Sequence, residues 1–275
     1  MHIVAKIIYG TAWKKEQTTT LVVNAVLQGF RAIDTACQPK HYREDLVGDA
    51  LEILRKNHGI RREDIFLQTK YTPIKGQDTK LPLPYNPTDS ISDQIQSSFQ
   101  KSLANLKTTY IDSYLLHSPC KTLEQTLEAW RALIALQNEG KVRMIGISNA
   151  YDVSLLHALS RERKVQVVQN RWYEGNEWDP LVHSYCSAND AMYQSFWTLS
   201  GSPSLLTHPA LLKVAAASAC TPEQAVFKFA QQEGIIPLSG TTSTLHMQQD
   251  VAVNDIEFSA DSTAHLDDIR QFLWG

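Results

Sequence analysis

Four cysteines, Cys37, Cys120, Cys186 and Cys220, are scattered over 275 residues with no Cys-x-x-Cys pair. That is too sparse for a disulfide framework and points to a reducing compartment. No run of about 18 apolar residues occurs, so no segment reads as a bilayer-spanning helix. The opening Met1-His2-Ile3-Val4-Ala5-Lys6 lacks a basic end leading into an apolar stretch, so no secretory leader is expected. Charge of one sign is also missing. The net charge is −3 and there is no lysine/arginine run, which argues against nucleic acid and acidic membranes as partners. A cytoplasmic protein is the expectation.

Several motifs are absent too. There is no G-x-G-x-x-G and no G-x-x-x-x-G-K-[ST], which excludes the Rossmann fingerprint and the P-loop. There is no H-E-x-x-H and no G-x-S-x-G, so neither a zincin nor an α/β-hydrolase is indicated.

What is present is a 43% hydrophobic content, ample for a packed core, in short apolar runs that alternate with amphipathic segments. Candidate strands are Ile7–Gly10, Ala32–Asp34, Ile65–Thr69, Ile111–Leu116, Val142–Ile147, Val165–Gln169, Ala191–Trp197 and Ile235–Leu238. Several are continuously apolar, as strands of a parallel sheet covered by helices are. Helical stripes run through Val47, Ala50, Leu51 and Leu54, with Gly59 as a stop. Others run through Ile91, Ile95, Phe99, Leu103 and Leu106, and through Leu123, Leu127, Trp130 and Ile134. Thr122-x-x-Gln125 and Thr221-Pro222-Glu223-Gln224 read as capping boxes.

Eight strands each followed by helix give an α/β chain, a single (β/α)8 TIM barrel over residues 1–275, with an open doubly wound sheet as the alternative. The sixth and seventh units are the most weakly patterned. The longest irregular stretch, Tyr71–Pro87, holds four prolines and reads as a functional or mobile loop.

In such a barrel the C-terminal strand ends face the active site. Polar residues close five successive strands: Asp34, Lys70, His117, Ser148-Asn149 and Gln169-Asn170. Singly, each reads as an ordinary loop hydrogen-bonder; together they read as a site.

The same stretches carry a resemblance. Ile33-Asp34-Thr35-Ala36, His41-Tyr42 and Val47-Gly48-x-Ala50-Leu51 resemble the second βα unit of the aldo-keto reductases. So do Thr69-Lys70, Leu115-Leu116-His117-Ser118-Pro119, and Gly140-Lys141-Val142-Arg143-x-Ile145-Gly146-Ile147-Ser148-Asn149. The match runs in order from about Tyr9 to Asp250.

The resemblance implies an NAD(P)H-dependent oxidoreductase that reduces a small aldehyde or ketone to an alcohol. Its catalytic residues would be Asp34, Tyr42, Lys70 and His117. Tyr42 would protonate the carbonyl oxygen, its pKa lowered by the Lys70 ammonium, with Asp34 orienting the lysine and His117 the substrate. Tyr42 lies further from Asp34 than in the family, which we read as a three-residue insertion across Cys37–Lys40. Trp13, Tyr42 and His117 would bind substrate.

For the cofactor, NADPH with NADH also admitted, the resemblance implies Thr11, Asp34, Ser148, Asn149 and Gln169 near the nicotinamide. Phe196 would stack on the ring, with Leu199 beside it. Ser239, Gly240 and Thr241 would meet phosphate, and His246, Gln249 and Asp250 the adenosine end. No metal is implied. Where NADPH-specific relatives carry a lysine and an arginine for the 2′-phosphate, this chain has Leu238 and His246. We therefore expect only a modest NADPH preference that grows as His246 gains its proton.

Ser118 replaces a tryptophan common in relatives, the segment after His117 is short, and little chain follows the last helix. An open pocket, partly rebuilt by Tyr71–Pro87, is expected, in a monomer or weak homodimer. The rival readings are a cofactor-binding regulatory barrel without catalysis, for which the displaced tyrosine argues, and a metal hydrolase on the same fold.

Overall fold

The computed structural model describes residues 6–275. The stretch Met1–Ala5, read above for a leader, lies outside the described residues. The strands are β1 (Ile8–Gly10), β2 (Ala32–Asp34), β3 (Phe66–Tyr71), β4 (Ile111–Leu116), β5 (Val142–Ser148), β6 (Val167–Arg171), β7 (Met192–Phe196) and β8 (Ile235–Ser239). Each pairs in parallel with its neighbours in sequence, and β8 closes on β1 through Ile8↔Leu238 and Tyr9↔Ser239. The (β/α)8 barrel is therefore the architecture, and the open sheet is not.

The outer layer is α1 (Thr18–Leu27), α2 (Glu44–His58), α3 (Ile91–Leu106), α4 (Leu123–Asn138), α5 (Val153–Glu162) and α6 (Pro180–Ala188). It continues through α7 (Pro203–Leu206), α8 (Pro209–Ala217), α9 (Pro222–Gln232), α10 (Thr244–Ala252) and α11 (Thr263–Trp274). Among the described residues no helix is long and apolar enough to cross a membrane.

Sequence explains most of these boundaries. Helix α2 buries Val47, Ala50 and Leu54 and ends where Gly59 turns left-handed at φ 69°. The Thr221 hydroxyl accepts from the Gln224 N–H, and the Gln224 side chain accepts back from the Thr221 N–H, so that capping box is complete. At Thr122 only the first half forms. The α4 stripe is rotated from the expected one: Trp130, Leu133 and Leu136 are buried, whereas Leu123 is exposed. The seventh unit carries three helices (α7, α8, α9) before β8 where one was expected, which is why its periodicity is diluted.

Two glycines of the motifs quoted above serve close approach. A Cβ on Gly48 would stand 2.0 Å from the Asn105 carbonyl, so α2 and α3 could not pack as they do. A Cβ on Gly146 would stand 2.2 Å from the Val167 carbonyl.

The main core lies between strands and helices, around Trp130, Phe99, Tyr114 and Phe229. A separate small cluster, Ile8, Ala32 and Phe66 packed by Met144 and Ile236, fills the barrel interior. Side chains two apart on a strand share a face. The inward row of β3 therefore runs Phe66, Gln68, Lys70, turning from apolar to charged toward the C-terminal rim.

Candidate active site

A cleft of about 1020 Å³ opens on that rim. Its wall includes Trp13, Asp34, Tyr42, His117, Ser148, Asn149, Gln169, Phe196, Leu199, Ser239, Gly240, Thr241, His246, Gln249 and Asp250. Two expected residues do not line it. Thr11 is fully buried, and its hydroxyl donates to the Asp34 carbonyl at 2.9 Å, so it braces β2. Lys70 lies beneath the wall, fully buried, and reaches the cleft through its neighbours.

The Lys70 ammonium donates to both Asp34 carboxylate oxygens at 2.6 Å and to the Thr35 carbonyl at 3.0 Å. Its three N–H groups are thereby engaged. Burial pulls the lysine down from its ordinary pKa, and the Asp34 charge pushes it back up. The ammonium stands 5.5 Å from the centre of the Tyr42 ring. Burial and then the Asp34 charge raise the Tyr42 phenol above its ordinary value. The expected lowering by Lys70 is thus not found: its charge is turned to Asp34, and burial dominates.

The displaced tyrosine still reaches the site. Gln38-Pro39-Lys40-His41 folds into a turn in which the His41 and Tyr42 N–H groups both donate to the Gln38 carbonyl, at 3.1 and 3.0 Å. Tyr42 then faces His117 edge-on at 5.8 Å, while His41 stacks against Trp13 at 3.8 Å. The His117 Nδ1 is 2.7 Å from the Thr72 hydroxyl. Burial, followed by the Lys70 charge, holds the ring pKa well below the ordinary histidine value, so the imidazole is neutral. Among the described residues neither the Tyr42 hydroxyl nor the His117 Nε2 has a hydrogen-bond partner.

Beside them, the Gln169 side-chain nitrogen donates inward to Asp34 Oδ1 (3.0 Å) and Gln194 Oε1 (2.9 Å). Among the described residues its carbonyl oxygen has no partner, and Gln169 lines the cleft wall. Ser148 Oγ accepts from the Asn149 amide at 3.2 Å and keeps its own O–H free. Asn149, at φ 52°, also donates to the His117 carbonyl and accepts from Arg171, so it has no free N–H to offer a ligand. It holds the β4 and β6 ends together instead.

Sequence reasoning missed several wall residues, four of which bear on the chemistry. Arg171 stacks over Phe196 and Trp197, its guanidinium carbon 5.1 and 4.5 Å from the ring centres. Thr72 sits beside His117, and Gly76 lines the rim next to it. Lys14 donates to the Gly240 carbonyl, placing a cation at the end of the cleft thought to have only His246. Thr72 was detectable as the next inward position after Gln68 and Lys70; nothing in local spacing pointed to Lys14. The Tyr71–Pro87 segment contributes little more. The Tyr85 hydroxyl and the Gln77 amide both donate to the Thr72 carbonyl and tie the segment down, and Tyr71 itself belongs to β3.

Fold and site together define a (β/α)8-barrel protein with a buried ion pair, a phenol and a neutral imidazole meeting at one end of a long cleft. The family model for the Aldo/keto reductase family matches residues 6–181, and the chain belongs to that family. It is an oxidoreductase by that membership.

Among curated relatives, the uncharacterized oxidoreductase YtbE of Bacillus subtilis is 28% identical over 254 residues, covering 92% of this chain and 83% of that protein. Methylglyoxal reductase DkgA of Escherichia coli is 27% identical over 262 residues, covering 93% and 86%. Among solved structures, an aldo-keto reductase from a deep-sea metagenome superposes with a TM-score of 0.78 at 26% identity, covering 96% of this chain and 90% of that one. A Bombyx mori aldo-keto reductase in complex with NADP gives 0.78 at 21%, covering 96% and 88%, a likeness of fold.

Proposed function

We propose that the protein reduces a small aldehyde or ketone to an alcohol with a nicotinamide cofactor, NADPH in preference to NADH. The observation that carries this reading is the buried Lys70–Asp34 pair set directly beneath Tyr42 and His117.

The cleft fits a nicotinamide dinucleotide. Ser148 offers a donor and Gln169 an acceptor, the complement of one primary carboxamide. Phe196 offers a flat apolar face. Lys14, Ser239, Gly240 and Thr241 suit phosphate, with Gln249 and Asp250 beyond. When bound, the cofactor supplies the hydride.

The chain's own residues supply the rest. Tyr42 keeps its proton through neutral pH and delivers it to the carbonyl oxygen as charge develops there. His117, with the Thr72 hydroxyl donating to Nδ1, presents an Nε2–H to the same oxygen. Lys70 neutralises Asp34 beneath them, so the developing negative charge meets no unpaired carboxylate. The exposed Trp13 and Trp197 flank the mouth.

The test is direct. Reduced nicotinamide should be consumed when methylglyoxal, the substrate for which the E. coli relative is named, is added with NADPH, and NADPH should quench the protein's tryptophan fluorescence. Quenching without turnover across a panel of aldehydes and ketones would favour the regulatory barrel. No binding of either cofactor would overturn the reading altogether.

A further inference from the structure

Three glutamine side chains meet in the barrel interior, on β3, β6 and β7, and none is more than 3% exposed. The amide nitrogens of Gln68 and Gln169 each bridge the same two acceptors. Gln68 Nε2 donates to Asp34 Oδ1 and to Gln194 Oε1, both at 2.7 Å. Gln169 Nε2 donates to the same two oxygens at 3.0 and 2.9 Å. The four atoms close a square of hydrogen bonds. The Gln194 nitrogen then donates back to Gln68 Oε1 at 3.1 Å and to the Met192 sulfur at 3.3 Å.

The polarity of this square follows from chemistry. An ionised carboxylate only accepts, so both amides touching Asp34 must turn their nitrogens to it. Were Gln169 flipped, its oxygen would face Asp34 Oδ1 and Gln194 Oε1 with no hydrogen between them. Every N–H of the three amides is engaged, and among the described residues the one amide group left unpartnered is Gln169 Oε1, on the cleft wall. Buried polar networks are tolerated when fully satisfied, and this one is satisfied everywhere except where it meets the cleft.

We propose that Gln68 and Gln194 are positioning residues that lock the Gln169 amide with its oxygen toward the cleft, so that the site selects a ring substituent that donates an N–H. This rests on the cofactor reading above. Because Gln169 and Lys70 share Asp34, the same square ties that recognition to the ion pair beneath Tyr42.

The experiment compares the affinity of the full chain for NADP and for its 3-acetylpyridine analogue, by fluorescence titration. The analogue keeps the substituent's carbonyl and lacks its N–H groups. Wild type should bind NADP about five-fold more tightly, the scale of one neutral hydrogen bond. The double variant Gln68→Leu/Gln194→Leu, which removes two corners and three of the four sides of the square, should bring that ratio near one. Gln194→Leu alone, which leaves Gln169 only its bond to Asp34, should give an intermediate ratio and serves if the double variant does not fold. Gln194→Glu, protonated in that interior and still able to accept and donate, should restore the wild-type ratio. A merely structural role would weaken both ligands alike. If wild type shows the preference and folded variants keep it unchanged, this inference is overturned and the cofactor reading stands. If wild type binds neither dinucleotide, both fall.

Discussion

The two ends of the cleft are built differently. At the inner end Asp34, Gln68, Lys70 and Gln194 stand on strands and are almost wholly buried, and their N–H groups have partners at 2.6–3.3 Å. At the outer end Gly240, Leu245 and His246 stand in the loop and helix after β8, and all are exposed. Lys14, Ser239 and Asp250 are anchored there, the Ser239 hydroxyl donating to Asp250 at 2.6 Å. A site on rigid elements holds its reacting groups in place, and a site on loops grips through several weaker, adaptable contacts. Substitutions should therefore act as near all-or-none changes at the inner end and as graded ones at the outer.

The largest contrast should come from Lys70→Met. It leaves the Asp34 carboxylate buried without its cation, which costs about 3–5 kcal/mol of stability. Turnover should fall about 10²-fold or more in whatever fraction folds. Urea unfolding alongside steady-state kinetics checks both, and a stable, active variant would remove the distinction between the two ends.

Lys14→Ala should be the strongest outer-end change. It should weaken NADPH binding about ten-fold, the scale of a charge-assisted hydrogen bond, and leave kcat at saturating cofactor nearly unaltered. An unchanged Kd would mean that this cation only pins the Gly240 loop.

A pH effect comes next. Burial pushes Asp179 and Asp250 each up to about 6. The folded chain then holds protons that the unfolded chain releases near the ordinary aspartate value, so both groups favour folding most at low pH. That contribution is lost as pH rises from about 4 through 6. Asp250→Asn should flatten the fall in melting temperature over that window, while an unaltered slope would place the titration elsewhere.

The smallest effect is expected of His246→Ala. The side chain is exposed and water screens it, so the NADPH/NADH ratio of kcat/KM should move about two-fold and lose its rise toward acid pH. A ratio that collapses would promote this histidine above Lys14.

Legibility in the sequence follows the same division. Strand runs and helix stops are local signals, so all eight strands were found within a few residues, and Asp34, Lys70 and His117 stood out as polar closers of apolar runs. Tyr42 was legible because the Val47-Gly48 helix start fixes its register. The Asp34–Gln68–Gln194–Gln169 square was not, because its partners lie 25 to 135 residues apart and meet only when the barrel closes. Gln68 did leave a trace, a polar residue at the inward position two before Lys70. Asn149 was legible as a polar residue closing a strand, but its partners, the His117 carbonyl and Arg171, were not, because they come from other parts of the barrel.

The most direct test of the central assignment is the pair of values kcat and NADPH Kd for Tyr42→Phe. The ring and its packing against His117 remain, and only the proton is removed. Expected is a fall in kcat of about 10²-fold or more with Kd within about two-fold of wild type. Near-full turnover would contradict the assignment and place the proton donor on another residue of the cleft.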